Sequence, residues 1–182
     1  MTHPASSETG LTHLDKQGTA RMVDVGSKPQ TRRTAVAEGR VRISAQLAER
    51  INANDLAKGN LLEVARLAGV MAAKRTDELI PLCHSLPLDC VDVDAWLEED
   101  AVCLRATAST TSRTGVEMEA FTAVSVAALT VIDMGKAVDS AMVIESIKLI
   151  EKTGGRRGTI RPHAPMTPQA KTKAPPKAGE DE

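Results

Sequence analysis

The sequence predicts an α+β fold of the ferredoxin-like type, with the order βαββαβ, an antiparallel sheet, helices on one face and one extra short helix. Three observations predict it. Two neighbouring stretches alternate apolar and polar residues across a short acidic turn, as in a hairpin. A stretch before this hairpin repeats apolar residues at helical spacing, and a longer helical stretch after it is apolar on nearly every side. A further strand-like stretch lies at each end of the series.

The first half of the chain supplies a strand, the extra helix and a long helix. Segment 31–43 is rich in Thr, Arg and Val, which favours a strand. Ser44 is a suitable N-cap for a short helix over 45–51. Segment 61–74 places apolar residues on one helical face, and Asn60 before it begins a sequence that resembles a capping box.

The second half supplies the hairpin, a buried helix and the closing strand. Segments 91–97 and 102–109 alternate apolar and polar residues on either side of the turn 98–100. The helix from 115 to about 138 is apolar on nearly every side, so it is expected to be buried. Segment 142–150 is the closing strand.

The length of 182 residues indicates one domain, which we place at residues 11–158. Residues 1–10 and 159–182 are expected to be disordered tails, since the second holds five of the nine prolines and little apolar periodicity. Residues 1–10 have neither a basic n-region nor an apolar h-region, so we do not expect a secretory signal there. The longest charge-free apolar run, 120–132, is shorter than the roughly 18 residues of a membrane span. We expect a cytoplasmic protein that does not bind membranes.

Composition excludes several other classes of function. The net charge of −1 gives no global field that would attract nucleic acid. Aromatic residues make up 1% of the chain, so a base-stacking surface for single-stranded nucleic acid is not expected. The three cysteines lack paired spacing, which argues against a disulfide framework or a zinc site.

Several polar residues lie at helix ends or in loops, where two interpretations remain open. Lys58 precedes a helix N-terminus and either binds an anion there or is a solvated loop lysine. Lys74 and Arg75 end that helix, and complementing its dipole is the simpler interpretation. His84, in a proline-flanked loop, either faces a substrate as a proton carrier or is an ordinary loop histidine. Metal binding by the adjacent Cys83 and His84 is not expected, because their geometry would be awkward.

The long buried helix carries charged residues at both ends. Glu117 and Glu119 point roughly 200° apart, so one of them is expected to enter a pocket or an interface. Asp133 and Lys136 share a face and can form an ion pair, which if buried would perturb both pKa values.

Basic residues outside these positions fall in two segments. Segment 21–42 has an excess of positive charge, and 154–158 is a glycine-rich basic loop. Either one alone is ordinary surface charge, but together they could neutralise a polyphosphate.

Several motifs, in order along residues 11–158, resemble the molybdenum-cofactor biosynthesis protein C family, the cyclic pyranopterin monophosphate synthases. The matching stretches are Met22-Val23-Asp24-Val25, Ala73-Lys74-Arg75-Thr76, Ile80-Pro81-Leu82-Cys83-His84, Thr114 through Ala120, Ala127-Ala128-Leu129-Thr130 and Asp133-Met134-Gly135-Lys136-Ala137.

The resemblance implies a ferredoxin-like fold and a lyase reaction. The family converts 3′,8-cyclo-7,8-dihydroguanosine triphosphate, which is made from GTP, into cyclic pyranopterin monophosphate and releases pyrophosphate. Its members are hexamers built as trimers of dimers, with active sites at the dimer interface. The reaction calls for no redox cofactor and no resident metal, and it leaves open a divalent cation that accompanies the triphosphate.

The resemblance also assigns roles to individual residues. The catalytic residues are expected to be Lys58, His84, Asp133 and Lys136. The substrate-binding residues are expected to be Lys74, Arg75, Leu82, Cys83, His84, Glu117, Met118 and Glu119. The chain departs from the family's usual pattern at Asn60, Ser85 and Gly135. None of these departures replaces a group assigned to proton transfer, although Asn60 bears on how Lys58 is held.

A different class of function remains open from the sequence. A ferredoxin-like module that senses a nucleotide without turning it over would need the same fold and a similar anion site. Release of pyrophosphate from the cyclic triphosphate distinguishes the two.

Overall fold

The computed structural model describes residues 18–155 and 158–167, and it confirms the predicted α+β order. Four strands and four helices lie within these residues. They are β1 (Thr31–Arg42), α1 (Ala45–Asn52), α2 (Leu61–Ala73), α3 (Thr76–Leu79), β2 (Cys90–Leu97), β3 (Ala101–Ser112), α4 (Glu117–Gly135) and β4 (Val143–Thr153).

The four strands form one antiparallel sheet in the order β2-β3-β1-β4, as expected for a ferredoxin-like fold. β1 and β3 pair along their whole length, from Thr31 opposite Ser112 to Arg42 opposite Ala101. The end of β4 lies beside the beginning of β1, with Thr153 opposite Thr34. The start of β1 and the ends of β3 and β4 therefore lie side by side at one end of the sheet.

Small residues let the helices approach the sheet and one another closely. A Cβ atom at Gly39 of β1 would lie 2.4 Å from Cγ1 of Val124 in α4. A Cβ atom at Gly69 of α2 would lie 3.0 Å from the carbonyl oxygen of Ala123. Ala35 and Ala37 of β1 are fully buried on the face of the sheet that packs against α4. The buried core of the domain is thus built mainly from Ala, Val and Leu residues.

Helix α4 is the core helix of the domain. In the described part of the chain, it alone is long and apolar enough to cross a membrane, and 56% of that stretch is buried inside the fold. It is shorter than the predicted 115–138, because Val116 stands at its N-cap and Lys136 at its C-cap. At the C-terminal end, Gly135 packs so tightly that a Cβ there would lie 2.7 Å from Cδ2 of Leu47.

Two local features differ from the sequence prediction. The short helix α3 was not predicted, since four residues carry no detectable periodicity. Disorder was expected from residue 159 onward, whereas Ile160 pairs with Lys152 and Met166 hydrogen-bonds to Glu38 of β1. The remaining predicted tails, 1–10 and 168–182, lie outside the described residues.

Candidate active site

Lys58, Asp133 and Lys136 form a compact charged group at the C-terminal end of α4. Lys58 Nζ donates to Asp133 Oδ2 at 2.6 Å and to the Asp133 carbonyl oxygen at 2.8 Å. Lys136 Nζ donates to the other carboxylate oxygen, Oδ1, at 2.6 Å. One carboxylate thus holds two ammonium groups, one on each oxygen.

The loop before α2 brings Lys58 to this position. Gly59 adopts a φ of +86°, which favours glycine, and its N–H donates to the carbonyl oxygen of Leu56 at 2.9 Å. Asn60 then caps α2, since its side chain accepts from the N–H of Glu63 at 3.1 Å. The departure from the family pattern at Asn60 therefore leaves a working helix cap beside Lys58.

The two lysines determine the charge state of Asp133. Hydrogen bonds from Lys136 and then from Lys58 lower the pKa of Asp133 to about 2. The carboxyl group is therefore ionised throughout the neutral range. The predicted ion pair of Asp133 and Lys136 is confirmed, but it is not buried, since the two side chains are 57% and 61% exposed. Both lie on the outer surface of the last helical turn, so hydrogen bonding and charge, not desolvation, shift this pKa.

A cleft of about 410 Å³ lies at the other end of α4. It brings together six residues that were predicted to bind substrate, from the loop after α3 and from the first turn of α4. Its lining is Val23, Val25, Lys28, Leu82, Cys83, His84, Leu86, Thr114, Gly115, Glu117, Met118 and Glu119.

Glu119 is the carboxylate that enters this cleft from a buried position. Its residue is only 4% exposed, and burial raises its pKa, with further contributions from the negative charges of Glu117 and Asp77. The pKa of the Cys83 thiol is also raised, first by burial and then by the negative charges of Glu119 and Asp77. The cleft thus favours the protonated forms of both groups, and Glu119 is suited to donate a proton.

A pH dependence of stability follows from the raised pKa of Glu119. Above its ordinary value of 4.5, the unfolded chain ionises this group before the folded chain does, so the free energy of unfolding declines as the pH rises through the folded-state pKa. We expect Glu119→Gln to melt at a higher temperature than wild type near neutral pH and to lose this advantage below pH 4.5. Thermal unfolding at a series of pH values tests this. A constant difference between the two proteins at every pH would contradict the assigned burial effect.

His84 is oriented by the segment that precedes β1. Its Nε2 lies 2.8 Å from the carbonyl oxygen of Val23. Because a carbonyl oxygen only accepts, we assign the proton to Nε2, which leaves Nδ1 as the acceptor in the neutral ring.

The role of His84 can be tested by its pH–rate profile. If Nδ1 exchanges a proton with substrate, His84→Ala removes one limb of the kcat profile and lowers kcat by roughly 10²-fold or more. His84→Asn is the matched control, because its amide can replace the hydrogen bond to Val23 without titrating. An unchanged profile in both variants would return His84 to an ordinary loop role.

A second, basic cleft of about 550 Å³ adjoins the first and shares Lys28, Thr114, Gly115 and Glu117 with it. Its other lining residues come from the end of the sheet where the start of β1 lies beside the ends of β3 and β4. They are Pro29, Thr31, Arg33, Thr34, Arg113, Val116, Lys152, Thr153, Gly154 and Gly155. Lys28, Arg33, Arg113 and Lys152 supply four cationic groups against the single carboxylate of Glu117.

Two glycines shape the wall of the basic cleft. Gly154 and Gly155 have φ values of +93° and +71°, and a Cβ at Gly154 would lie 2.3 Å from the carbonyl oxygen of Arg32. A Cβ at Gly155 would lie 2.6 Å from Nη1 of Arg33. The Arg33 guanidinium also donates to the carbonyl oxygens of Ser112 and Arg113, at 3.1 and 3.2 Å. Gly154 therefore lets the chain approach the Arg32 backbone closely, and Gly155 leaves room for the Arg33 guanidinium.

The sequence indicated only part of the basic cleft. The structure brings Lys28 and Arg33 of segment 21–42 together with Gly154 and Gly155 of segment 154–158. Arg113 and Lys152 were missed, because their approach depends on the register of β3 and β4 against β1. The Lys152 ammonium donates to Glu117 Oε1 at 2.6 Å. This bond neutralises the one acidic side chain of the cleft.

Two predicted substrate-binding residues lie elsewhere. Lys74 is the C-cap of α2, and Arg75 forms an ion pair with Glu78 at 2.8 Å. Neither lines one of the two clefts described above. Both residues lie at the C-terminal end of α2, as in the simpler interpretation, in which their positive charges complement the helix dipole.

Among residues 18–155 and 158–167, no three His, Cys, Asp or Glu side chains are grouped in a way that could hold a metal ion. The polar groups of the site are instead ammonium, guanidinium, carboxyl and imidazole groups. Such groups can bind anions and transfer protons.

The chain is similar to known proteins over most of its length. A match to the MoaC family covers residues 22–155. Cyclic pyranopterin monophosphate synthase of Thermomicrobium roseum is 60% identical over 153 residues, which is 83% of this chain and 92% of that protein. The enzymes of the same name from Novosphingobium aromaticivorans and Streptomyces griseus are 57% and 52% identical, over 82% and 91% of this chain and 95% and 93% of theirs. The chain belongs to the MoaC family.

Proposed function

We propose that this protein is a cyclic pyranopterin monophosphate synthase of molybdenum-cofactor biosynthesis. It converts 3′,8-cyclo-7,8-dihydroguanosine triphosphate into cyclic pyranopterin monophosphate and pyrophosphate. The observation that carries the proposal is the direct contact between a basic cleft and a cleft lined by proton-transfer groups. A substrate with a polyphosphate at one end and a purine-derived ring system at the other would occupy both.

The basic cleft suits the triphosphate. Four cationic side chains converge there, and guanidinium groups can bind phosphate oxygens with two parallel hydrogen bonds. Positive charge at this position would stabilise pyrophosphate as it leaves. An incoming phosphate would compete with Glu117 for Lys152 and so free the Glu117 carboxylate beside the first cleft.

The adjoining cleft suits the ring system. Leu82, Leu86 and Met118 offer apolar contacts, while His84 and Glu119 offer groups that can accept and donate protons. Opening the imidazole ring and rebuilding the pterin require several proton transfers. Glu119, whose pKa is raised, suits the acid role in these steps, and Nδ1 of His84 suits the base role.

Lys58, Asp133 and Lys136 are assigned the remaining proton-transfer and phosphate-positioning roles. Ionised Asp133 keeps both ammonium groups within hydrogen-bonding distance of one point. Since this group lies at the far end of α4 from Glu119, we propose that each complete site combines residues of two subunits. The proposed assembly is a cytoplasmic homohexamer, a trimer of dimers with active sites at the dimer interfaces.

The proposed chemistry uses neither a redox cofactor nor a resident metal. A divalent cation would enter, if at all, with the triphosphate. Nucleic acid and membranes are not proposed as partners.

Incubating the full-length protein with the purified cyclic triphosphate tests the proposal. We expect pyrophosphate and the pterin product to appear in equal amounts, and Lys152→Ala to raise the substrate KM. Arg66→Ala is the matched control, because Arg66 lies on the outer face of α2 and pairs only with Glu63 among the described contacts. Tight binding without release of pyrophosphate would contradict the proposal and favour the nucleotide-sensing module instead.

A further inference from the structure

Glu38 is a fully buried carboxylate that none of the steps above uses. It lies in β1 on the opposite side of the strand from its neighbour Gly39, which faces α4. Arg105, directly opposite on β3, donates to Glu38 Oε1 from Nε at 2.8 Å and from Nη2 at 2.5 Å. Arg105 also lies over the ring of Trp96, with 5.5 Å from the guanidinium carbon to the ring centroid. The pair is therefore held rigidly on the helix-free face of the sheet.

This pair binds the backbone of a distant residue. The N–H of Met166 donates to Glu38 Oε2 at 2.7 Å, and Arg105 Nη2 donates to the Met166 carbonyl oxygen at 2.6 Å. Both polar backbone groups of one residue are thus bound by oppositely charged side chains. Because the contacts are made to the backbone, they do not depend on the identity of the side chain at position 166.

The clamped residue lies near the end of a strap, residues 159–167, that runs from the edge strand β4 to the centre of the sheet. Ile160 begins the strap by exchanging two backbone hydrogen bonds with Lys152 of the edge strand β4, both at 2.9 Å. Arg161 pairs with Glu151 of the same strand at 2.5 Å. The strap then crosses the helix-free face and reaches the central strands at Met166.

The start of the strap holds the part of β4 that lines the basic cleft. Lys152, which pairs with Ile160 through its backbone, directs its ammonium group to Glu117 in that cleft. Gly154 and Gly155, which follow it, line the same cleft, and Gly155 accepts a hydrogen bond from the N–H of Gly158 at 3.3 Å. The last residues of β4 are therefore fixed on one side by β1 and on the other by the strap.

We propose that Glu38 and Arg105 are positioning residues for the basic cleft: by clamping the backbone of Met166 they hold the strap in place, and the strap holds Lys152, Gly154 and Gly155 where they bind a polyphosphate. This inference rests on the proposed function, since it assigns the polyphosphate to the basic cleft. Neither Glu38 nor Arg105 lines that cleft, so their effect on it is transmitted through the chain from Met166 to Lys152.

Physical grounds favour the clamp as the dominant anchor of the strap. A single pair of backbone hydrogen bonds at the exposed edge of a sheet is readily frayed, because little apolar surface supports it. Hydrogen bonds to ionised groups are roughly twice as strong as neutral ones. In the clamp, Glu38 is fully buried and the Arg105 side chain is 27% exposed, whereas the strap's other ion pair, Arg161 with Glu151, involves an arginine side chain that is 69% exposed.

The test uses two substitutions at the clamped residue, which leave the buried pair intact. Met166→Pro removes the N–H that Glu38 binds, whereas Met166→Ala keeps both backbone groups. In the full-length protein, hydrogen exchange at the amides of Lys152 and Ile160 reports the strap, and calorimetric binding of inorganic tripolyphosphate reports the cleft. We expect Met166→Pro to accelerate exchange at both amides and to weaken tripolyphosphate binding about tenfold, the effect of one charge-assisted hydrogen bond. Met166→Ala is expected to stay within about twofold of wild type.

Each contrary result overturns a definite part of the inference. Unchanged exchange in Met166→Pro would show that the clamp does not hold the strap. Accelerated exchange with unchanged tripolyphosphate affinity would show that the strap does not position the cleft, and failure of wild type to bind tripolyphosphate would reject the cleft as a polyphosphate site. If wild type binds tripolyphosphate but does not turn over the cyclic triphosphate, the proposed enzyme function fails while the positioning role is still measured.

Discussion

Replacing Lys58 or Lys136 by alanine is expected to lower turnover by roughly 10²–10⁴-fold, the usual contribution of one general acid or base. Each lysine donates a 2.6 Å hydrogen bond to Asp133, and the three side chains are about half exposed or more. Since the group is not part of the core, the substitutions should leave the fold intact. The measurement is kcat with the cyclic triphosphate, together with the circular dichroism spectrum and thermal midpoint of each variant.

Arg66→Ala is again the matched control, because it removes a similarly exposed ion pair, with Glu63, from the surface of α2. Exposed pairs of this kind contribute only about 0–1 kcal/mol, so its kcat and its thermal midpoint should stay close to those of wild type. Near-wild-type turnover in Lys58→Ala or in Lys136→Ala would eliminate the role assigned to that lysine. A loss of folded structure in either variant would instead contradict the expectation that this exposed group is not part of the core.

The charge of Asp133 refines this expectation. Its pKa of about 2 keeps it ionised at every pH at which the enzyme would be assayed. Under the proposed function, we therefore expect Asp133 to serve as a base or as a fixed negative charge that aligns the two ammonium groups. It cannot supply a proton near neutrality, and any acid limb of the rate profile in that range belongs to another group.

The order of elements was predictable because the alternating pattern of strands and the apolar pattern of helices are both strong in this sequence. Segments 91–97 and 102–109 alternate almost without exception, and the structure has strands over Cys90–Leu97 and Ala101–Ser112. Helix α4 is apolar on nearly every side between its charged ends, and this pattern correctly indicated a core helix. The ends of α4 lie a few residues from the predicted ones. Helix ends depend on the cap position, here Val116, and on the close packing of Gly135, and the pattern of apolar residues does not show either.

Features that depend on contacts between distant segments were not predictable. Arg113 and Lys152 become neighbours of Arg33 only through the strand order, and no local pattern marks them. The strap was assigned to a disordered tail because its prolines and polar residues resemble one. Its anchor is a backbone contact to Glu38, and an isolated glutamate in a strand normally indicates a solvent-exposed face.

The separation of the candidate site into two parts was predictable from the sequence, because Glu119 and Asp133 fall on one predicted helix. Apart from Lys74 and Arg75, the residues assigned to the site form two groups, one at each end of α4, and Glu117–Gly135 is one continuous helix. Glu119 and Asp133 are 14 residues apart within it, which at about 1.5 Å per residue is roughly 21 Å along the axis. Hydrogen-bonding reach is roughly 3 Å, so one reacting centre cannot contact both residues of the same helix.

Two mixing experiments distinguish a shared site from a site within one chain. The first combines wild type with the double variant Glu119→Ala/Asp133→Ala in equal amounts, under conditions that allow subunits to exchange. If sites are shared across a two-fold interface, both sites of every mixed dimer are damaged, and about a quarter of the activity of an all-wild-type sample is expected. If each chain holds its own site, about half is expected, because every wild-type chain stays active.

The second experiment combines the two single variants, Glu119→Ala and Asp133→Ala, each of which is expected to be inactive alone. Random exchange makes half of the dimers mixed, and in each mixed dimer one site takes its Glu119 from one chain and its Asp133 from the other, both intact. About a quarter of wild-type activity should therefore return. The measurement is pyrophosphate release before and after exchange, with mass spectrometry of differently tagged subunits to show that mixed oligomers form. If mixed oligomers form and no activity returns, Glu119 and Asp133 act within one chain, and a substrate that spans the full length of α4 becomes the only arrangement that keeps both at the site.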